Sequence, residues 1–268
     1  MAKYWVLDKI IKQGTEYRTK TRQAYVIRKI GTDSSSSAKL KIDGKDTGII
    51  DNESAPIHKL TTNLLGPLDL RDEYYVIPPE VKFEFDGASG SKCRIIGQII
   101  NLEVGEGLEA ELLSRFAEQH KKYRTTYDGS FALGTDEAWG NNVEYEILSL
   151  TPLTTEKVTL DDVVMVSISG GTVSEGDFGV EFYLDNSPFE VDVAENAPRG
   201  IDVLSMPYPP KEDTEMIVFT LKDMPIEVLG DHTLSIRVRN VSGADKSPAS
   251  GSAWSVKVKL VAKYERTE

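Results

Sequence analysis

Leu40-Lys41-Ile42-Asp43-Gly44 decides the fold, because Phe182-Tyr183-Leu184-Asp185-Asn186 repeats its pattern 142 positions later. The first alternates apolar and polar residues, the period-two signature of a strand with one wet face, and both end on residues that favour a tight hairpin turn. At the same offset Glu73, Val76 and Ile77 meet Glu215, Val218 and Phe219. At an offset of 143, Phe83, Phe85 and Gly87 fall on Ile226, Val228 and Gly230, and Cys93 and Ile95 on Ile236 and Val238. A long-period match in order and phase is the mark of a duplicated unit. Each half is expected to close on an alternating strand, Val143–Ile147 in the first and Val256–Leu260 in the second.

The rest of the chain supports strands throughout. Tyr25–Ile30 ends at Gly31, Tyr74–Ile77 runs into Pro78-Pro79, and Val81, Phe83 and Phe85 alternate with Lys82, Glu84 and Asp86. Short strands separated by Gly, Pro and Asp turns indicate sandwiches, not alternating strand–helix units. The expected fold is therefore all-β: two tandem jelly-roll-like β-sandwiches, residues 1–152 and 153–268, joined near Thr151–Thr155. One amphipathic helix is predicted over about 107–123 within the first. Leu108, Leu112, Leu113, Phe116, His120 and Tyr123 share its apolar face, and acids at its start and bases at its end match the helix dipole. The second half has a Gly/Ser/Ala/Pro loop, Ser242–Ala253, in place of that helix, which is expected to precede the last strand of the first sandwich.

With 268 residues, 40% hydrophobic and 28% charged, the chain has the composition of an ordinary globular protein, long enough for two cores. No apolar run approaches the roughly 18 residues of a membrane-spanning helix, and the start, Met1-Ala2-Lys3-Tyr4-Trp5, has no signal-peptide pattern. The single cysteine, Cys93, forms no internal disulfide; its mid-strand position reads as a small core residue, compatible with synthesis in a reducing cytoplasm. Net charge is −12, unevenly placed: residues 1–45 hold eleven Lys or Arg against four acids, a net of +7, which leaves −19 for the remainder. Lys3, Lys9, Lys12, Arg18, Lys20 and Arg22 are therefore candidate contacts to an anionic partner such as nucleic acid, lipid headgroups or an acidic neighbouring subunit. The alternative is a solvated, Lys-rich edge strand.

Catalytic signatures are missing. The three histidines, His58, His120 and His232, have no metal-ligand spacing, and there is no Gly-x-Ser-x-Gly elbow or phosphate-binding glycine loop. Asp43, Asp46 and Asp51 lack calcium-loop spacing and read as turn residues. A carboxylate pair of hydrolase type can be neither recognised nor dismissed among 43 acids. Trp5, Trp139 and Trp254 offer a sugar-stacking platform, although Trp139 and Trp254 each precede a closing strand, which favours a core or rim role. The expectation is a non-enzyme with no cofactor and no metal.

Two tandem sandwiches, with Leu40–Gly44 and Phe182–Asn186 as matching strands and a helix in the first, resemble the double jelly-roll major capsid proteins of tailless icosahedral viruses, many with an internal membrane. The resemblance spans nearly the whole chain and rests on architecture; the second half has no counterpart of the helix. It implies an eight-stranded roll in each half and homotrimers forming pseudo-hexagonal capsomers. It also implies a virion location after synthesis in the host cytoplasm, with partners among other virion proteins. The basic leading segment would face membrane or genome. The other class consistent with the residues is a two-domain carbohydrate- or receptor-binding spike or adhesin.

Overall fold

The two matching stretches fold alike. In the computed structural model, which describes residues 3–59, 65–188, 201–202, 217–221 and 225–267, strand β4 (Ala38–Ile42) joins β5 (Lys45–Ile50) through Asp43 and Gly44, at φ +53° and +74°. Strand β14 (Phe178–Leu184) joins β15 (Ser187–Pro188) through Asp185 and Asn186, at φ +50° and +63°. Ile42 pairs with Lys45 and Leu184 with Ser187, so both are two-residue hairpins with left-handed central residues, the geometry that matches strand twist.

The chain divides into two compact units, Met1–Thr126 with Lys263–Thr267, and Tyr127–Ala262 with Glu268. In the first, β1 (Tyr4–Lys12), β9 (Lys92–Asn101) and β3 (Gln23–Thr32) lie side by side, with β6 (Leu68–Asp69) and β7 (Tyr75–Ile77) both on the far edge of β3. The second sheet runs β2 (Glu16–Arg18), β8 (Lys82–Asp86), β4, β5. Leu7, Leu40, Ile42, Phe83, Phe85, Cys93 and Ile95 are buried in this unit. Helix α1 (Ala110–Glu118) packs Leu112 and Phe116, with Leu108 just before it, on Ala24, Val26, Tyr74, Val76 and Ile100.

In the second unit, β20 (Ser255–Arg266) is bonded to β10 (Lys122–Ala132), β12 (Glu156–Leu160) and β13 (Val163–Ser169). Strand β17 (Ile217–Thr220) pairs with β13, and β18 (Ile226–Leu229) with β12. The other sheet places β19 (Leu234–Asn240) between β11 (Glu144–Leu150) and β14, with β15 and β16 (Ile201–Asp202) on β14. Taking β12 with β13, β15 with β16, and β17 with β18 as broken strands, the second plan repeats the first position by position: β10 answers β1, β11 β2, β14 β4, β19 β8 and β20 β9. This is the double-sheet jelly-roll arrangement, present twice. The division between units falls inside β10 and inside β20. The predicted join at 151–155 falls between β11 and β12.

Three sequence expectations are corrected. Glu144–Leu150 does not close the first roll; it pairs with β19, and the first roll closes on β9. The helix is shorter than predicted and follows that closing strand instead of preceding it; by Lys122 the chain is already extended. The offset of 143 pairs strands that are not equivalent: Phe83 and Phe85 lie in β8, bonded to β4, whereas Ile226 and Val228 lie in β18, bonded to β12. Likewise Cys93 and Ile95 lie in β9 but Ile236 and Val238 in β19. Val76 and Ile77 and their matches Val218 and Phe219 also lie in non-equivalent strands: β7 pairs with the early part of β3 and so answers β18 on β12, whereas β17 on β13 answers β6; Glu215 lies outside the described residues.

Candidate functional site

Three of the six candidate basic residues meet at one cleft of the first unit. Lys20 and Arg22 sit on the connection between β2 and β3, and Lys3 just ahead of β1. The opposite wall is the Leu102–Leu108 segment between β9 and α1. Backbone bonds hold the walls: the Asn101 amide donates to the Lys3 carbonyl at 2.8 Å, the Leu102 amide to the Arg22 carbonyl at 2.9 Å, and the Gln23 amide to the Lys20 carbonyl at 2.9 Å. The cleft, about 1040 Å³, adjoins a hollow of about 710 Å³ whose lining includes Pro78, Pro79, Leu108 and Leu113.

The charges in the cleft are not equally available. Lys3 Nζ donates to Glu106 Oε1 at 2.8 Å, and that bond holds the lysine above its ordinary range. Glu106 is held below the usual carboxylate range, first by the Glu103 backbone amide at 2.9 Å and then by Lys3. Lys20 and Arg22 are exposed and form no side-chain hydrogen bond or ion pair among the described residues. The cleft thus offers two free cations beside an apolar floor, with Glu103 as the opposing charge.

The remaining three lie elsewhere. Lys9 is turned among aromatic rings, 4.8 Å from the Tyr17 centroid, 5.8 Å from Phe83 and 6.0 Å from Tyr25. Lys12 ends β1 opposite Lys92, its backbone amide donating to the Tyr17 hydroxyl at 3.0 Å. Arg18 ends β2 opposite Lys82.

A second polar assembly, in the second unit, escaped the sequence reading. On the face of β14 opposite Phe178, Val180 and Phe182, Arg239 Nε donates to Glu181 Oε1 at 2.8 Å, and its Nη2 also reaches Glu144 and the Tyr183 hydroxyl. Arg237 lies 4.1 Å from the Tyr183 ring centroid and donates to Glu144 Oε1 at 2.8 Å. Burial first, and the bond to Glu181 second, push the Tyr183 hydroxyl up to about 12. Burial raises Glu144, but the bonds from Arg237 and Tyr183 and the charge of Arg239 together outweigh it and hold the carboxyl below its ordinary range. The signal was present: Arg237 and Arg239 alternate in β19 while Glu144 and Glu146 alternate in β11, and the register sets Glu144 against Arg239 and Glu146 against Arg237. Each of these carboxylates has a guanidinium or hydroxyl donor, so the assembly ties strands together and presents no free base.

Other candidates resolve as structure. Trp139 and Trp254 are buried, their Nε1 atoms donating to the Val143 and Lys246 carbonyls, and both rings pack on Phe178. Cys93 is buried, which pushes its thiol up. His120 lies just past α1, edge-on to Phe116, and burial lowers its pKa. Among the described residues no three metal-ligating side chains cluster.

No protein-family model and no curated protein matches the chain. Among solved structures it is similar to the major capsid protein P2 of bacteriophage PM2, at 13% identity and TM-score 0.36, covering 95% of this chain and 98% of that one. It is also similar to a chain in the atomic structure of Sulfolobus Turreted Icosahedral Virus, at 9% identity and TM-score 0.39, covering 98% and 91%. The ANX1 ectodomain of Arabidopsis thaliana is similar too, at 7% identity and TM-score 0.30, covering 95% and 82%. These likenesses reach viral and plant receptor proteins alike.

Proposed function

We propose that this chain is a virion structural protein, a capsid shell subunit that assembles as a homotrimer into pseudo-hexagonal capsomers. One observation carries the reading: a single chain builds the same jelly-roll plan twice, in the same strand order. Three such chains around an axis present six alike bodies, so one gene product can tile a near-hexagonal lattice through many moderate contacts. No catalytic role is assigned. Lys12, Arg18, Lys20 and Arg22, which form no side-chain hydrogen bond or ion pair among the described residues, would meet internal membrane, genome or another virion protein. The sugar platform of the spike or adhesin reading is reduced to the exposed Trp5, because Trp139 and Trp254 are core residues.

Negative-stain images of the purified, concentrated protein test this. Six-sided tiles and patches of lattice are expected. Separate two-lobed particles at every concentration would remove the reading.

A further inference from the structure

Strand β1 is built unlike a protected edge. Among the described residues it pairs as a strand only with β9, so its other side, about 30 Å along nine residues, offers backbone groups that no strand pairs, apart from the Lys12 amide, which donates to the Tyr17 hydroxyl. Soluble sheets blunt such edges with charge, proline or brevity. Here Tyr4, Val6 and Ile10, exposed by 51%, 81% and 48%, share one face of the strand. The charge between them, Asp8, is bound twice by Arg94, at 2.8 and 2.9 Å, and so is already satisfied. Helix α1 covers the same sheet face at its Ala24, Val26, Val76 and Ile100 end, and among the described residues packs on no residue of β1.

The charge pattern selects the occupant. Lys12 ends the apolar strip with Lys92 opposite it, whereas Lys3 at the other end is tied to Glu106. Pairing β1 with β1 of another copy in parallel sets Lys12 beside Lys12, and like charges directly opposed are destabilising; in antiparallel, Lys12 and Lys92 meet only the already satisfied Lys3–Glu106 pair. The strip therefore calls for an acidic surface. The second compact unit supplies one: its residues carry 24 acids against nine Lys or Arg, a net of −15, whereas the first unit carries 19 against 22, a net of +3.

We infer that the exposed face and free edge of β1 dock on the acidic second unit of another copy of this chain. The inference rests on the capsomer reading and names its contact. Such a contact is head-to-tail; repeated about an axis it closes a ring, whereas a self-complementary patch would stop at a dimer. A strip of about 30 by 10 Å gives roughly 300 Å² per partner, under half of a standard interface. It is thus one contact among several, and salt should weaken it by screening.

Light scattering on the wild type, on Val6→Glu/Ile10→Glu and on Lys12→Glu/Lys92→Glu tests the assignment, with circular dichroism and melting temperature as folding checks. The wild type should associate, less at high salt. Both variants should fold as the wild type does and shift the association midpoint to concentrations about tenfold higher or more, the factor expected from about 1.4 kcal/mol of lost contact. Amide exchange should slow in β1 only on association. A wild type that assembles alongside variants that assemble equally well overturns the β1 contact and leaves the capsomer reading standing. A wild type that stays monomeric overturns the capsomer reading, and this inference with it.

Discussion

Replacing Arg239 by methionine should cost the second unit about 3–5 kcal/mol, the range for leaving a buried charge without its partner. Arg239 is 9% exposed and Glu181 5%, so the pair is shielded although it lies on the face of the sheet turned from the Phe178 side. Arg239 supplies Glu181 with bonds at 2.8 and 3.1 Å, and its loss leaves that carboxylate only the Tyr183 hydroxyl at 2.7 Å. Glu144 keeps Arg237 at 2.8 Å, so the damage centres on Glu181. For a protein of this size each kcal/mol lowers Tm by about 2–4 °C, giving a fall of roughly 6–20 °C by differential scanning calorimetry. The companion variant Arg239→Met/Glu181→Met removes both charges and keeps aliphatic volume, so it should recover most of the loss, a coupling of at least 1–2 kcal/mol in a double-mutant cycle. A single variant costing less than about 1 kcal/mol, or a double variant equal to the sum of the singles, would refute the view that Arg239 neutralises a buried carboxylate.

Other perturbations follow from the same contacts. Lys9→Gln removes a cation from three aromatic rings and should lower stability by about 0.5–2 kcal/mol in urea titrations, whereas Lys20→Ala/Arg22→Ala should leave stability within about 0.5 kcal/mol. The Lys20/Arg22 variant should also reduce cosedimentation with anionic vesicles or binding to nucleic acid, and equal binding would remove that role. Gly97→Ala should destabilise by about 1–3 kcal/mol, because a Cβ there runs into the Val26 carbonyl oxygen in the neighbouring strand. Acid should unfold the protein with a definite sign. Asp8, held low by Arg94, and Asp185, held low by His232 and then by the Thr233 amide, have folded pKa values below their unfolded ones. Their contribution is therefore complete above the ordinary carboxylate range and lost as pH falls through the folded values. Melting temperatures across pH 3–7 should drop at the acid end, and Asp8→Asn should flatten that drop.

The strands were legible where alternation and turn residues coincide. Leu40, Ile42 and the Asp43-Gly44 turn name β4 and its hairpin outright, and Phe182 through Asn186 do the same for β14. The constant offset failed further on because strand position and residue spacing part company. In the second unit the partner of β13 continues past β17 as β18, so the offset that starts on β8 lands one strand short of β19. The helix spacing of Leu108, Leu112 and Phe116 was correct, but its C-terminal extension was not. Gln119, the helix C-cap, turns its side chain to the Val76 amide and carbonyl, at 2.8 and 3.1 Å, acting as a substitute strand partner for β7. No periodicity announces such a tertiary bond. In the basic segment the charges could be counted in sequence, but their allocation required the fold: Lys9 to the rings, Lys3 to Glu106, and Lys20 and Arg22 to the open cleft.

Mass in solution across a concentration series, by light scattering on the unmodified chain, bears most directly on the shell-subunit reading. Three chains of 29.7 kDa give a trimer of about 89 kDa, and that species should dominate as concentration rises. A mass of 29.7 kDa at every concentration and salt would contradict it.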